Sequence, residues 1–258
     1  MTGPTLRATM GLLLLGACSQ PCPPEERCSF GKGSYRVDRA PHGADKAVFF
    51  LHGAQMGGDG VRHRLDLSPF HDRGIDVVFP NAPRKDWRVA RPKAVARDAR
   101  WLADLADHLA GEGLPTDVAV AGHSVGGSMT WFTACHAGDR FYAFAPSSGG
   151  YWEPEPATCD VGPVRLRHHH GRFDTFVPLG GRYHLKSKTW QANVESGLET
   201  WRHHGGCDGP TVQYVDGPYL CEATTDCDAG VVELCLYDGR HPKPEGWEEA
   251  VAAWLAEG

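Results

Sequence analysis

A serine between two glycines, at the end of an apolar segment, is the pattern in this chain best suited to do chemistry. Val118 to Ala121 is typical of a buried strand and runs directly into Gly-His-Ser-Val-Gly at 122–126, ahead of a helix predicted over 128–136. A serine hydroxyl is a weak nucleophile until a base takes its proton, so it must stand clear of the backbone on a sharp turn. Glycines leave room for such a turn. The pattern therefore predicts a nucleophile elbow at Ser124.

An acid and a base follow Ser124 in the chain order that such elbows use. Asp174 comes just after a predicted strand that ends at His170, so it should lie at the carboxyl edge of the sheet. His241 is the last of 14 histidines and lies in the loop after a strand predicted over 231–237. We expect His241 to act as the general base and Asp174 to hold and orient its imidazole.

Acyl transfer also needs two backbone N–H groups that face the oxygen on which negative charge develops. Val125, the residue after the nucleophile, is predicted to supply one donor of this oxyanion hole. The other is expected in the Gly-rich loop after the apolar strand 47–51, with Ala54 as the first candidate and Gln55 as the alternative. No spacing such as His-Glu-x-x-His occurs in the sequence, so neither a metal nor a cofactor is expected.

Predicted strands and helices alternate along the chain, which favours an α/β fold with a mostly parallel sheet and helices on both faces. The strands are predicted over 34–39, 46–51, 75–79, 117–121, 141–145, 164–171 and 231–237, and the helices over 94–110, 128–136, 186–203 and 244–256. A length of 258 residues suits one large domain, expected to be a monomer. The net charge of −6, with dispersed acidic residues, argues against a nucleic-acid partner.

The N-terminal residues are typical of an export signal. Arg7 precedes the apolar segment 11–17, which is much too short to span a bilayer. The segment ends in Leu-Gly-Ala-Cys, so we expect Cys18 to be lipidated and to anchor the mature chain to a membrane. Ordinary secretion after cleavage near Ala17 is the alternative, and both interpretations export the protein. The predicted parts are a signal peptide over 1–17, a lipidated and disulfide-bearing tether over 18–33 and a catalytic domain over 34–258.

Eight of the nine cysteines remain when Cys18 is set aside, and an even number in an exported chain indicates disulfides. Proximity along the chain favours two pairs. The helix after Ser124 and the segment before the Asp174 strand could bring a third pair together, which leaves a fourth by elimination. The working pairs are Cys22–Cys28, Cys221–Cys227, Cys135–Cys159 and Cys207–Cys235, and the sequence leaves other pairings open.

With these residues in place, the chain resembles the α/β-hydrolase superfamily, and within it the secreted polyhydroxybutyrate depolymerases and feruloyl esterases. The resemblance runs from residue 44 to the C-terminus. It is carried by His-Gly at 52–53, the elbow with Cys135, His-Gly-x-x-Asp-x-x-Val-Pro over 170–178 and Gly-x-His at 239–241. The chain departs from that group in two places. Pro-Lys-Pro follows His241 where the group often has Trp-Pro, and the stretch between the Gly-rich oxyanion loop and the elbow is short.

The resemblance implies an exported serine esterase that acts on polyester oligomers, on feruloyl or acetyl esters of polysaccharide, or on small esters. Trp87, Trp131 and Trp152 are candidates for the walls of its acyl or aromatic pocket. A serine peptidase with the same three catalytic residues is a second interpretation. A binding protein that keeps the hydrolase fold without activity is a third, because a fold does not by itself fix a function.

Overall fold

The computed structural model describes residues 21–23, 26–159 and 161–257. The signal peptide predicted over 1–17 and the lipidation predicted at Cys18 lie outside the described residues. Among the residues that are described, none belongs to a helix long and apolar enough to cross a membrane.

The described residues form twelve strands, which make up one large sheet and one small hairpin. The strands are β1 (Cys28–Phe30), β2 (Gly33–Asp38), β3 (Lys46–Leu51), β4 (Ile75–Asn81), β5 (Asp117–His123), β6 (Ala143–Ser147), β7 (Arg165–Gly171), β8 (Arg182–His184), β9 (Thr189–Gln191), β10 (Val212–Asp216), β11 (Tyr219–Ala223) and β12 (Val231–Tyr237). The large sheet has the order β1-β2-β4-β3-β5-β6-β7-β12-β11-β10, and β8 pairs with β9. Its six central strands are parallel, and antiparallel strands extend both edges.

Helices cover both faces of the large sheet. They are α1 (Gly57–Arg62), α2 (Ser68–His71), α3 (Pro92–Gly111), α4 (Val125–Ala137), α5 (Val194–His204) and α6 (Trp247–Ala256). One face packs against α3, α4 and α5, and the other against α1, α2 and α6. Alternate residues of β3 are buried in the two opposite cores, which is why its sequence is almost entirely apolar. The predicted α/β fold with a mostly parallel sheet is confirmed.

The structure differs from the sequence prediction in the segment after Asp174. The helix predicted over 186–203 begins only at Val194, because Asn193 caps it by accepting a hydrogen bond from the Glu195 N–H at 2.8 Å. The residues before this cap form the β8–β9 hairpin. The antiparallel strands β10 and β11 were also absent from the prediction. Their apolar residues include the exposed Val212, Val215 and Leu220 and the buried Tyr219 and Cys221.

Four disulfides join the described cysteines. Cys22–Cys28 and Cys135–Cys159 are the pairs that were predicted. The predicted pairs Cys207–Cys235 and Cys221–Cys227 are wrong: the structure joins Cys207 to Cys227 and Cys221 to Cys235. The reason is strand register, since Cys221 on β11 lies directly opposite Cys235 on β12.

Strand β7 carries three successive buried histidines, of which His169 alone faces the core beneath α6. Its ring lies 4.9 Å from the Tyr219 ring and 6.1 Å from the Trp247 ring. Both of its nitrogens lack a hydrogen-bond partner among the described residues. Burial, and to a lesser degree the charge of Arg167, lowers the pKa of His169 to about 3. The folded protein therefore keeps this imidazole neutral.

This buried histidine should make the protein sensitive to acid. The folded-state pKa of His169 lies below its unfolded value of about 6.5. At pH values between these two pKa values, the imidazole is protonated in the unfolded chain and neutral in the folded protein. The stabilisation is complete above about pH 6.5 and is lost as the pH falls, by up to about 1.4 kcal/mol per pH unit. We expect His169→Leu to lose less unfolding free energy than the native protein between pH 6.5 and 4.5.

Denaturant titrations at both pH values measure this difference. His63→Leu, which removes an exposed histidine, is the matched control and should keep the native pH dependence. An equal loss of unfolding free energy in His169→Leu and in the native protein would contradict the argument.

Candidate active site

Ser124 lies on the tight turn between β5 and α4, at the carboxyl edge of the parallel strands. Its backbone has φ 60° and ψ −123°, a conformation that costs roughly 1–3 kcal/mol for a residue with a side chain. A Cβ atom on Gly122 would come within 2.5 Å of the Gly126 carbonyl oxygen, and one on Gly126 within 2.1 Å of the Leu51 carbonyl oxygen. Both glycines are therefore required by the close approach of backbones that shapes the turn.

The structure brings the three predicted residues together at this edge. His241 Nε2 lies 2.9 Å from Ser124 Oγ, and His241 Nδ1 lies 2.7 Å from Asp174 Oδ2. With the Nδ1–H donating to the carboxylate, Nε2 is left free to accept the hydroxyl proton. The arrangement has the geometry of a serine nucleophile, a general base and an acid that orients the base.

The Asp174 carboxylate is held from both sides. Its Oδ1 accepts hydrogen bonds from the N–H groups of Phe176 at 2.8 Å and Val177 at 2.9 Å, and its side chain is fully buried. Burial alone would raise the pKa of Asp174. The hydrogen bonds from His241, Val177 and Phe176 and the charge of His241 outweigh this effect and lower the pKa below its ordinary value. Asp174 therefore stays ionised and can stabilise a protonated imidazole.

A buried series of hydrogen bonds supports the loop that carries Asp174. The Trp131 indole donates to His168 Nδ1 at 3.2 Å, His168 Nε2 donates to His170 Nδ1 at 2.8 Å, and His170 Nε2 donates to the Val177 carbonyl at 2.7 Å. Because an indole only donates, this order fixes the tautomer of each imidazole. Burial lowers the pKa of both histidines, so the series is neutral. It holds Val177 by its carbonyl, and the N–H of the same residue donates to Asp174.

Two aromatic rings that the sequence analysis did not single out flank His241. The His123 ring lies 4.9 Å from the His241 ring and the Phe176 ring 5.4 Å from it. Burial, followed by the charges of His241 and Lys243, lowers the pKa of His123 to about 3. His123 therefore adds no charge beside the base at neutral pH. Its position within the Gly-x-Ser-x-Gly motif was the one available signal.

His52 anchors the loop that was predicted to carry an oxyanion donor. The ring is buried; its Nδ1 donates to the Gly53 carbonyl at 2.9 Å, and its Nε2 accepts from the Ala82 N–H at 3.2 Å. The Trp87 indole donates to the His52 carbonyl at 3.1 Å and stacks on its ring. Side-chain and backbone contacts thus tie the end of β3 to the end of β4.

The two predicted oxyanion donors belong to residues that share a cavity with Ser124. Ala54 and Val125 line the same cavity as Ser124. As the first residue of α4, Val125 has a backbone N–H with no acceptor inside the helix. The N–H of Gln55, the alternative donor, is already bonded to the Asp86 carboxylate at 3.0 Å. The geometry therefore favours Ala54 over Gln55, and the role of both amides stays a prediction.

An open cavity of about 740 Å³ lies over Ser124 and His241. Its walls come from the loop 84–91, the β8–β9 hairpin and the Asp174 loop. Trp87 and Trp152 line it, as the sequence analysis suggested. Trp131 does not: it is fully buried under the sheet, where its indole bonds His168.

Comparisons with known proteins agree with this geometry at the level of the fold. No model of a protein family matches the sequence, and no curated protein matches it. The structure is similar to an acetyl xylan esterase from Aspergillus awamori, with a TM-score of 0.64 and 16% identity over 90% of this chain and 99% of that chain. For a carboxylesterase from Mesorhizobium loti the TM-score is 0.62 and the identity 16%, over 90% of this chain and 99% of that chain. For the Bacillus cereus carboxylesterase the TM-score is 0.61 and the identity 12%, over 86% of this chain and 93% of that chain. The chain has the α/β-hydrolase fold.

The site should contain an activated serine, and a fluorophosphonate tests this directly because it reacts only with such a hydroxyl. We expect labelling at Ser124. Asp174→Asn keeps the shape of the side chain but turns an amide toward His241 Nδ1, which favours the tautomer that cannot accept the Ser124 proton. The labelling rate should fall by up to about 10⁴-fold.

Mass spectrometry of the Ser124 peptide over time gives the rates. Asp238→Asn makes the same chemical change at an exposed carboxylate and should be labelled as fast as the native protein. Equal labelling of all three proteins, or labelling at another serine, would refute the arrangement.

Proposed function

We propose that this protein is a serine ester hydrolase. The observation that carries the proposal is the hydrogen-bonded series Ser124–His241–Asp174 at the floor of an open cavity. The solved structures with the same fold that bear the names acetyl xylan esterase and carboxylesterase support it.

The reaction follows from the positions of these groups. Ser124 Oγ attacks the ester carbonyl carbon while His241 Nε2 takes its proton, and the amides of Ala54 and Val125 bind the resulting oxyanion. His241 returns the proton to the leaving alkoxide, which departs as the alcohol and leaves an acyl-enzyme. Water, deprotonated by the same nitrogen, then releases the acid and restores Ser124. Asp174 stabilises the imidazolium and is not itself protonated.

The substrates that we propose are polyester oligomers, feruloyl or acetyl esters of polysaccharide, or small esters. The cavity supports these classes because it is open at the surface and combines the apolar rings of Trp87 and Trp152 with polar side chains. A cavity of about 740 Å³ can receive the end of a polymer or a complete small ester.

Loss of the nucleophile or of the base should abolish this activity. We expect Ser124→Ala and His241→Ala each to lower kcat for p-nitrophenyl acetate by a factor on the order of 10⁶, since the members of such a series act as a unit. Circular dichroism should show an unchanged fold for Ser124→Ala. His203→Ala, which removes an exposed histidine, is the control and should retain native kcat.

The outcome also separates the alternatives. A near-native rate for purified Ser124→Ala would overturn the assignment of the nucleophile. Faster cleavage of a matched peptide amide than of the ester would favour the peptidase. An absence of labelling and of hydrolysis in the native protein would favour a binding protein with this fold.

We further propose that the protein is exported and is anchored to a membrane through a lipid on Cys18. The four disulfides of the described residues support an oxidising compartment. Mass spectrometry of the N-terminal peptide from native cells should find an acylated Cys18. An unmodified N-terminus, with the protein in the medium, would contradict the anchor and favour the secreted alternative.

A further inference from the structure

The walls of the cavity carry a charge opposite to that of the chain as a whole. The chain has a net charge of −6. The residues that line the cavity nevertheless include five basic side chains and a single carboxylate, Asp86, whose Oδ1 already accepts the Gln55 N–H. The basic side chains are Arg84, Arg88, Arg91, Arg182 and Lys186. A local excess of positive charge above a nucleophile attracts ligands that carry negative charge.

The five basic groups are not equivalent. Arg88 donates to the buried Asp98 carboxylate, with Nε at 3.0 Å from Oδ2, so its charge is compensated within the protein. Arg84, Arg91 and Lys186 are exposed, and water and salt screen their charges. Arg182 differs from both kinds, because it is half-buried and is held in one orientation.

The contacts of Arg182 fix its guanidinium without neutralising it. Its Nε donates to Gln191 Oε1 at 3.0 Å and its Nη1 donates to the Thr175 carbonyl at 3.2 Å. Arg182 and Gln191 are direct partners in the β8–β9 register, and Gln191 is buried, so the hairpin itself sets the geometry. Both acceptors are neutral. A guanidinium has five N–H donors, and those not used here remain for a ligand in the cavity.

A neighbouring histidine lies close to the same positive charges. His184 is the third residue of β8, lines the cavity and packs its ring 5.2 Å from the Trp152 ring. Burial, and then the charges of Arg182 and Lys186, lowers the pKa of His184. Trp152 and His184 thus form an uncharged wall beside the Arg182 guanidinium.

We propose that the preferred substrates are esters that carry a free carboxylate on the acyl or the alcohol part, and that Arg182 binds this carboxylate. The inference rests on the proposed ester hydrolysis and specifies its substrate class. A planar guanidinium held by two neutral acceptors matches a carboxylate in a bidentate hydrogen bond. Lys186 and Arg91 at the rim attract the same group from solution. Arg182 is a binding residue and takes no part in the proton transfers at Ser124.

The first test compares two p-nitrophenyl esters of similar length, the hemisuccinate, which carries a carboxylate, and the neutral pentanoate. We expect kcat/KM to favour the hemisuccinate in the native protein. Arg182→Gln should reduce the ratio of the two kcat/KM values by about 10- to 100-fold, mainly through KM for the hemisuccinate. Arg182→Lys should recover part of the ratio, because it restores the charge without the planar pair of donors.

Arg97→Gln is the matched control, since it removes an exposed arginine of α3 that does not line the cavity. The control should keep the native ratio. A native ratio at or below one, or the same ratio in Arg182→Gln as in Arg97→Gln, would overturn the proposal.

A binding measurement separates this proposal from the proposed hydrolysis. Calorimetry with monomethyl glutarate and Ser124→Ala should show binding that weakens by about 10-fold or more when Arg182→Gln is added. Methyl pentanoate, the neutral analogue, should show no such dependence. Absence of monomethyl glutarate binding to Ser124→Ala would refute the carboxylate site whatever the rates of hydrolysis. Binding that depends on Arg182, together with failure to hydrolyse either ester, would support the site and refute the hydrolase.

Discussion

The close approach of the start of α4 to the end of β3 is the constraint on which the site depends. A Cβ on Gly126 would lie 2.1 Å from the Leu51 carbonyl oxygen and 2.8 Å from that of His52. Any side chain at 126 would therefore push the helix away from the strand. The nucleophile turn begins this helix and the oxyanion loop follows this strand, so their contact sets the distance between Ser124 and the amide of Ala54. The strained backbone of Ser124 is held by two hydrogen bonds, one from its N–H to the Ser147 carbonyl and one from the Ser128 N–H to its own carbonyl, both at 2.9 Å.

The loop that carries the acid is supported in a different way, by a series of buried neutral hydrogen bonds. His168 and His170 are buried and remain uncharged. His168 donates a hydrogen bond to His170, and His170 donates one to the Val177 carbonyl. Hydrogen bonds from neutral donors therefore hold the loop around Asp174. A buried neutral imidazole with both nitrogens bonded costs little, whereas an unpaired buried charge at the same place would cost several kcal/mol, roughly. The site can therefore hold one ionised carboxylate in its interior.

Sequence patterns alone were sufficient to predict which residues lie at the ends of the parallel strands. Ser124, Asp174 and His241 follow β5, β7 and β12 in chain order, and strand ends in such a sheet meet at one edge. The same reasoning could not assign Cys221, because its partner depends on the register of the antiparallel pair β11–β12 rather than on distance along the chain. It also misplaced Trp131, since an indole on a helix after the elbow can face either the cavity or the sheet, and His168 decides between them.

The walls of the cavity are the part that sequence patterns predict least, for a physical reason. Strand β9 occupies residues that were predicted to be helical, and Asn193 marks the true start of α5. Arg182 gains its orientation from Gln191 across the hairpin and from Thr175 in another loop. No local sequence motif therefore predicts this orientation. In the proposed reaction, strand ends supply the groups that break the ester bond, and many proteins of one fold can share such groups. The connecting segments supply the charge that we propose selects the ester, and that charge can be located only when the neighbours of each side chain are known.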